Sequence, residues 1–305
     1  MTLIEAILLT VITASTPLLI AAIGELVAER AGVLNLGVEG MMIMGAAAGI
    51  AVAIVTGSSL LGVLAAVAAG MALAALFALL ALGLATNQVA TGLALTILGL
   101  GLSGVIGAPF VGVQRSGIGK ITVPWLSDIP FLGPLFFKQD PFVYVSFALV
   151  AGVAWFLTRT KAGLVLRACG ESHASAHALG LPVLMIRFWA VLFGGACAGL
   201  AGAYMSLVYT PFWTSGMTGG RGWIALAIVV FASWLPWRAA FGAYLFGGLT
   251  ILQLHAQSAG VPVPSQLLAA LPYLITICVL VLIMRVRAGG AAGPQSLGLS
   301  FVPDR

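Results

Sequence analysis

The chain has 305 residues, of which 61% are hydrophobic and only 7% charged, with a mean hydropathy of +1.16. A soluble domain carries roughly 25% charged residues, so this composition cannot cover a water-facing surface and points to a polytopic membrane protein. The net charge of +5 is scattered, which argues against a nucleic-acid partner, and the apolar runs are continuous rather than alternating, which argues against a β-barrel.

The first ten residues, MTLIEAILLT, contain no Lys or Arg. They lack the basic n-region of a signal peptide, and the first apolar run is expected to persist as a helix. Apolar runs separated by polar or Gly/Pro breaks predict an all-α bundle of about nine transmembrane helices, range eight to ten. They fall near 3–24, 39–56, 60–84, 88–108, 141–158, 187–207, 222–236, 239–257 and 266–285, with 222–236 short for a span. Residues 1–287 form the transmembrane domain. The 109–140 segment, rich in Gly, Pro and aromatics, reads as an outer loop that caps a pathway, docks a partner or simply connects; Trp125, Phe131, Phe136 and Phe137 suit the headgroup level. Residues 159–187 read as a cytoplasmic segment, and 288–305, rich in Gly and Ala, as a flexible cytoplasmic tail.

Lys and Arg set the orientation. With 159–187 in the cytoplasm, that side holds Arg30, Arg159, Lys161, Arg167, Arg187, Arg238, Arg285, Arg287 and Arg305, against Arg115, Lys120, Lys138 and Arg221 outside. The expected topology has the N-terminus out and the C-terminus in. Within 167–182, RACGESHASAHALGLP, a short helix is expected over 171–179. Glu171 would lie in its first turn, Gly180 in the left-handed position beyond its end, and Pro182 would prevent continuation. Such a helix cannot span a bilayer and has the shape to dock into a groove of a soluble partner. His173 and His177 share a face, as a metal-binding pair can, but no third ligand is nearby, so solvated or partner-facing histidines are the preferred reading. Cys169, Cys197 and Cys278 show neither disulfide nor zinc spacing and read as packing residues.

Polar side chains at lipid depth tend to face a cavity or the bundle interior. Asn35 and Glu39 lie in the glycine-broken GVLNLGVEG. Asn87, Gln88 and Thr91 open the fourth span. Arg221 lies in a second broken stretch, TSGMTGGRGWIA, flanked by Trp213 and Trp223. These eight residues are the candidate substrate pathway. For each, a structural use stands beside substrate contact: Asn35 as a cap, Glu39 as an anion at a helix N-terminus, Asn87 in a loop, Arg221 as an interfacial anchor. Two broken segments in opposite halves point to inverted repeats around a central pathway, although no residue-level repeat is visible. In GELVAER, Glu25 and Glu29 are like charges one turn apart, expected on a surface near the cytoplasm. His255 is expected to be buried and hydrogen-bonded.

Several of these stretches carry a resemblance. LRACGESHASAHALGL resembles the coupling segment of ABC-importer permeases of the branch that carries sugars, branched-chain amino acids and nucleosides. GELVAERAGVLNLGVEGMMIMGA, ATNQVATGLAL and GMTGGRGWIALAIVVFASWLPWRAAFGAYLFG are similar to the nucleoside and simple-sugar subgroup of that family, and the resemblance covers about Thr16 to Arg287. There are departures: Ser172 and His173 replace an Asn-Pro-like step, and 233–235 are Ser-Trp-Leu where a Gly and polar residues are usual. The resemblance implies a type II-like importer permease working by alternating access. Arg167, Gly170, Glu171, His173, His177 and Gly180 would couple to the ATPase. The implied partners are a second, homologous permease in a heterodimer, a double-length ABC ATPase, an extracytoplasmic binding lipoprotein of the basic-membrane-protein type, a small-molecule substrate and membrane lipids. No GxxxxGK[ST] pattern occurs. The chain is therefore expected to be no enzyme and to carry no cofactor, with ATP and Mg on the partner ATPase. Nucleosides are the expected cargo. Ribose-like sugars or branched-chain amino acids are the alternative within the family, and a secondary transporter or channel is the alternative class. A shortage of intramembrane acids counts against the latter.

Overall fold

The computed structural model describes residues 3–258 except 123 and 128, scattered positions between 264 and 281, and residues 293–302. Among them, seven helices are long and apolar enough to cross a membrane. The ninth expected span, 266–285, lies largely outside the described residues.

Helix α1, Leu3–Arg30, is 28 residues long, about 42 Å at 1.5 Å per residue. Pro17 interrupts its hydrogen bonding and leaves the Thr13 carbonyl without its usual donor. The Tyr204 hydroxyl donates to that carbonyl at 3.1 Å, and Ser15 and Thr16 hydroxyls turn back onto Val11 and Ile12 carbonyls. In a lipid setting these side chains replace the water that would otherwise satisfy a kinked helix. Helix α2, Val38–Thr56, and helix α3, Ser59–Ala78, form a hairpin through Gly57, whose φ of +72° closes α2 in the left-handed conformation. A π turn at Leu79–Gly83 extends α3, and α4, Gln88–Gly107, follows with Asn87 as its cap.

The segment after α4 crosses one end of the bundle, called here the loop end. It contains a two-stranded antiparallel ribbon, β1 (Ile121–Thr122) and β2 (Lys138–Gln139), and a short helix α5, Leu132–Phe136. Arg115 fastens it by donating to the Gly57 carbonyl at 2.6 Å, and its backbone bonds to Pro211. Trp125 is 90% exposed. Helix α6, Pro141–Arg159, is capped by Asp140, which accepts from Phe142 and Val143 amides. The chain then forms α7 (Lys161–Glu171) and α8 (His173–Ala178) at the opposite, coupling end. Helix α9, Val183–Tyr204, returns to the loop end and finishes in a π turn, Met205–Tyr209. Helix α10, Arg221–Phe231, is short, and α11, Pro236–Ser258, runs back toward the loop end.

The core lies where α1, α2, α3 and α9 pack together. Their contacts are made by glycine. A Cβ on Gly45 would sit 2.6 Å from the Gly199 backbone, and Gly70 and Gly199 pack against each other across α3 and α9. Lipid tails are as apolar as leucine, so close backbone approach supplies the dispersion energy that holds such helices together. Gly199→Val is expected to separate α2, α3 and α9 and cost about 1–3 kcal/mol through overpacking. A fall in the thermal midpoint of the detergent-solubilised protein, followed by fluorescence-detected gel filtration, checks it; a surface change such as Gly152→Val, where nothing lies within 4 Å of the added Cβ, should be silent.

Candidate functional site: a junction of two broken segments

Residues 31–37 enter the bundle from the coupling end without forming a helix, and residues 210–220 enter from the loop end in the same way. They meet at Glu39. The depth follows from α4: Gly40 packs on Gly99, eleven residues beyond Gln88, or about 16 Å into the bundle. That is about half of a bilayer core of ~30 Å. Helix α10 has 11 residues, about the same half-thickness, so the sequence-predicted span at 222–236 is a half-helix completed by the irregular 210–220 segment. Irregular backbone at this depth is tolerated when protein surrounds it, and Trp213, inside the segment, is fully buried against Gly107.

The Glu39 carboxylate is 5% exposed. Its Oε1 accepts from the Thr218 hydroxyl at 2.6 Å and the Gly220 amide at 2.9 Å; its Oε2 accepts from the Gly222 amide at 2.6 Å. Glu39 is also in the first turn of α2. One anion thus lies at two helix N-termini, where the unsatisfied amides and the helix dipoles favour negative charge. The glycines make this approach feasible. Gly219 and Gly220 take φ of +55° and +82°, which brings the Gly220 and Gly222 amides to the carboxylate while the Arg221 amide between them bonds the Thr218 carbonyl. A Cβ on Gly222 would sit 2.5 Å from Glu39 Cα.

The other sequence-predicted residues divide into two groups. Arg221 and Trp223 lie beside the junction in the first turn of α10, whereas Trp213 packs on Gly107, eight residues beyond Gly99 on α4 and about 12 Å nearer the loop end. Arg221 donates to the Met217 and Thr218 carbonyls and sits over the Tyr209 ring, 5.3 Å from its centroid, so it closes its own loop rather than pairing with Glu39. Trp223 is partly exposed, and the Trp213 indole nitrogen has no hydrogen-bond partner among the described residues. Asn35 is buried: its Oδ1 accepts from the Gly37 amide at 2.9 Å at the start of α2, and its backbone N–H donates to Glu25 Oε1 at 3.1 Å. Asn87, Gln88 and Thr91 do not join the junction. Asn87 caps α4 through the Ala90 amide, Thr91 bonds Thr86 and the Asn87 carbonyl, and Gln88 accepts from the Leu34 amide and donates to the Leu299 carbonyl.

At the coupling end, the short helix expected over 171–179 is α8, two residues later in its start, and a separate helix α7 precedes it. Glu171 ends α7, and Ser172 caps α8 by accepting from the Ser175 amide at 3.2 Å. Glu171 therefore lies at a helix C-terminus, not in a first turn. Gly180, φ +79°, closes α8 as its position requires, with its amide on the His177 carbonyl and the Leu181 amide on that of Ala176. Gly170 is buried against Arg30 and Gly32, where no side chain fits, and Arg167 lies partly buried on α7. Arg187 is fully buried. Its guanidinium donates to the Ala31 carbonyl at 3.1 Å and the Leu299 carbonyl at 3.1 Å, and lies 3.3 Å from His173 Nδ1. Residues 293–302, expected to be an unanchored tail, are held here instead, because their backbone supplies acceptors that a buried guanidinium requires.

Sequence reasoning missed other buried polar groups. Glu25 and Glu29, placed on a surface, are each 1% exposed. Glu29 accepts from the Trp234 indole at 2.6 Å, and Thr96 on α4 donates to the Leu36 carbonyl at 2.9 Å. The i, i+4 spacing of the glutamates was visible; that Asn35 and Trp234 would cover them was not. Glu25 and Glu29 thus add two protein-buried acids, near the coupling end of α1, to Glu39. His255 is exposed on α11, with Nδ1 3.0 Å from the Ile251 carbonyl. Among the described residues, no three His, Cys, Asp or Glu side chains are grouped to hold a metal.

A helical membrane bundle with two broken segments meeting at half depth, and paired short helices at one end, defines a transport protein of the permease class. Residues 7–284 match the model for the permease component of the branched-chain amino acid transport system, and the chain belongs to that family. It is therefore a multi-pass membrane permease of ABC transporters, a family that works with ATPase and substrate-binding partners. A protein of Haloferax volcanii named "Putative glucose ABC transporter permease protein TsgC13" is 42% identical, covering 95% of both chains. The nucleoside ABC transporter permease protein NupC of Lactococcus lactis is 29% identical, over 99% of this chain and 98% of that one. The guanosine ABC transporter permease protein NupQ of Bacillus subtilis is also 29% identical, over 95% and 94%.

Two outcomes follow. Glu39→Ala leaves two buried amides and a hydroxyl without an acceptor and is expected to destabilise the fold by about 2–4 kcal/mol; Glu39→Gln, which keeps one acceptor oxygen, should cost less. Thermal unfolding of both variants checks it. Burial, and then the Arg187 charge, hold the His173 imidazole below its ordinary pKa. Its contribution is complete above the unfolded value of about 6.5 and is lost as pH falls through the lowered folded value. Spin-label distances between α8 and residues 296–301 should lengthen on acidification and not on raising the pH.

Proposed function

We propose that this chain is the permease subunit of an ATP-driven importer for a neutral, polyhydroxylated ring compound, a nucleoside or a simple sugar. The single observation that carries the mechanism is the Glu39 junction. Two broken segments, one from each end, are held at half depth by hydrogen bonds to one carboxylate, and parting them opens a path from either side without unfolding a spanning helix. Trp223 and Arg221, in the first turn of α10, lie next to that path and offer an aromatic face and donors, which suit a flat, hydroxylated cargo, while Trp213 is buried nearer the loop end. Asn35, Asn87, Gln88 and Thr91 shape the segments around it and do not line it.

The nucleoside reading draws on the two relatives named for nucleoside and guanosine transport; the sugar reading draws on the higher identity to the relative named for glucose. In the proposed assembly the N-terminus is outside, α7 and α8 face the cytoplasm, and the chain pairs with a homologous permease as a heterodimer. A double-length ATPase hydrolyses ATP, so ATP and Mg stay off this chain, and a binding lipoprotein delivers the cargo at the loop end. The family match replaces the scarcity of acids as the ground for preferring ATP-driven to ion-driven transport.

Purification of the chain from its native membrane is expected to bring an ABC ATPase with it, and proteoliposomes of the complex should accumulate radiolabelled guanosine or glucose only with ATP. Uptake driven by an ion gradient without ATP sinks this reading. Within the complex, the exposed Glu171→Arg should lower transport about tenfold, the effect of losing roughly 1.4 kcal/mol of coupling; unchanged transport would remove α7 from the ATPase contact.

A further inference from the structure

We infer that residues 293–302 are a positioning strap, which joins the coupling helices to the half-helix α10 and so carries displacement of α8 to the Glu39 junction. The inference rests on the reading of the chain as an ATP-driven permease.

The strap crosses the coupling end by a series of specific contacts. Gly293 lies against the Trp234 ring, where a side chain would collide. The Ser296 amide donates to the Gly170 carbonyl at 2.9 Å, and its hydroxyl accepts from the His173 amide at 3.1 Å and donates to the Glu171 carbonyl at 3.4 Å. Ser296 thereby bridges the break between α7 and α8. The Leu299 carbonyl takes Arg187 and Gln88. The Phe301 ring lies against both His173 and His177, at centroid distances of 5.1 and 5.3 Å.

Helix α8 needs this support. It has six residues, well below the length at which an isolated helix holds in water. Its buried side, Ala176 with Cys169 and Val183, is closed by Phe301. At the other end of the strap, Ser233 and Trp234 both take positive φ, +51° and +56°, a conformation that non-glycine residues keep only when their surroundings impose it. Trp234 is imposed upon from two sides, by its indole bond to Glu29 and by Arg30 donating to its carbonyl at 3.1 Å. This constrained turn is the immediate end of α10, and α10 begins at the amides held by Glu39. A rigid half-helix thus links the turn that the strap touches with the junction that opens.

The test uses the ATPase complex in proteoliposomes, with guanosine and glucose as the transported probes. Phe301→Ala is expected to retain the ATPase at wild-type stoichiometry while guanosine or glucose moved per ATP hydrolysed falls about fivefold. Phe301→Tyr, which keeps the ring, should restore the ratio. An unaltered ratio in Phe301→Ala overturns the strap. A second variant, His177→Cys with Phe301→Cys and the native cysteines replaced, is oxidised in the isolated permease and then in the complex. Cross-linking that leaves transport at the level of the same variant before oxidation, itself below wild type because the Phe301 ring is gone, supports a strap that travels with α8. No cross-link, or transport lost on oxidation and regained with reductant, overturns it. If neither probe is moved by the wild-type complex, the transporter reading fails instead, and the cross-link alone still decides where the strap lies.

Discussion

The structure depends on a buried carboxylate. Removing an ion from water is costly unless hydrogen bonds and charge replace its hydration. Glu39 receives three donors and sits at the start of two helices, so the fold supplies both. The requirement explains the sequence around it. The 210–220 segment must bring amides to half depth, so it carries glycines at 216, 219 and 220 with positive φ. Helix α10 must touch the α2 backbone, so its second residue is Gly222. Helix α2 must cross α4 closely to reach that depth, so Gly40 faces Gly99.

A complementary arrangement occupies the coupling end. Arg187 is a cation without exposure, and the carbonyl of Ala31, just past the C-terminal end of α1, is one of its acceptors. Helix C-termini favour cations as their N-termini favour anions. The bundle thus places an anion where helices begin and a cation where one ends. Main-chain groups supply most partners of both charges, beside the Thr218 hydroxyl at Glu39 and the His173 ring at Arg187, and this fixes the backbone of irregular segments that side-chain packing would leave free. Carbonyl contacts also explain why Arg187 recruits a distant piece of chain: α1 alone offers too few acceptors for a five-donor guanidinium, and Leu299 supplies another.

Much of the helical layout was legible in the sequence, because apolar runs of bilayer length have few other uses. Of the eight expected spans that fall on described residues, seven match helices of bilayer length with bounds off by up to six residues, the eighth is the half-helix α10, and Gly180 ends α8 as expected. The two broken segments were also visible, through their glycines and isolated polar residues. Their meeting was not, since it depends on a hydrogen bond between residues about 180 apart, Glu39 and Gly220, that no local pattern encodes. Glu25 and Glu29 misled for the same reason: one turn of helix with two acids looks solvated until Asn35 and Trp234 are placed over it. Residues 293–302 misled by composition. Its Gly and Ala content reads as a loose tail, but the segment is held by its Ser296 and Leu299 backbone groups, the Ser296 hydroxyl and the Phe301 ring, whose distant partners no local pattern encodes.

The mechanical consequence is that the proposed transport cycle needs little deformation of any spanning helix. A junction made of three hydrogen bonds to one carboxylate can exchange those bonds for others at a cost within the 1–3 kcal/mol typical of coupling between sites, whereas bending α2 or α9 would break a glycine-packed core. The segment that moves is also short. Its lever is α10, eleven residues long, with a constrained turn at one end and the carboxylate at the other. Packed interfaces switch between discrete arrangements rather than deform continuously, and the close fit of α1, α2, α3 and α9 provides the fixed frame against which such a lever can act. Rigidity in the glycine core and breakability at Glu39 are therefore two parts of one design: the first makes the second the cheapest place for the molecule to open.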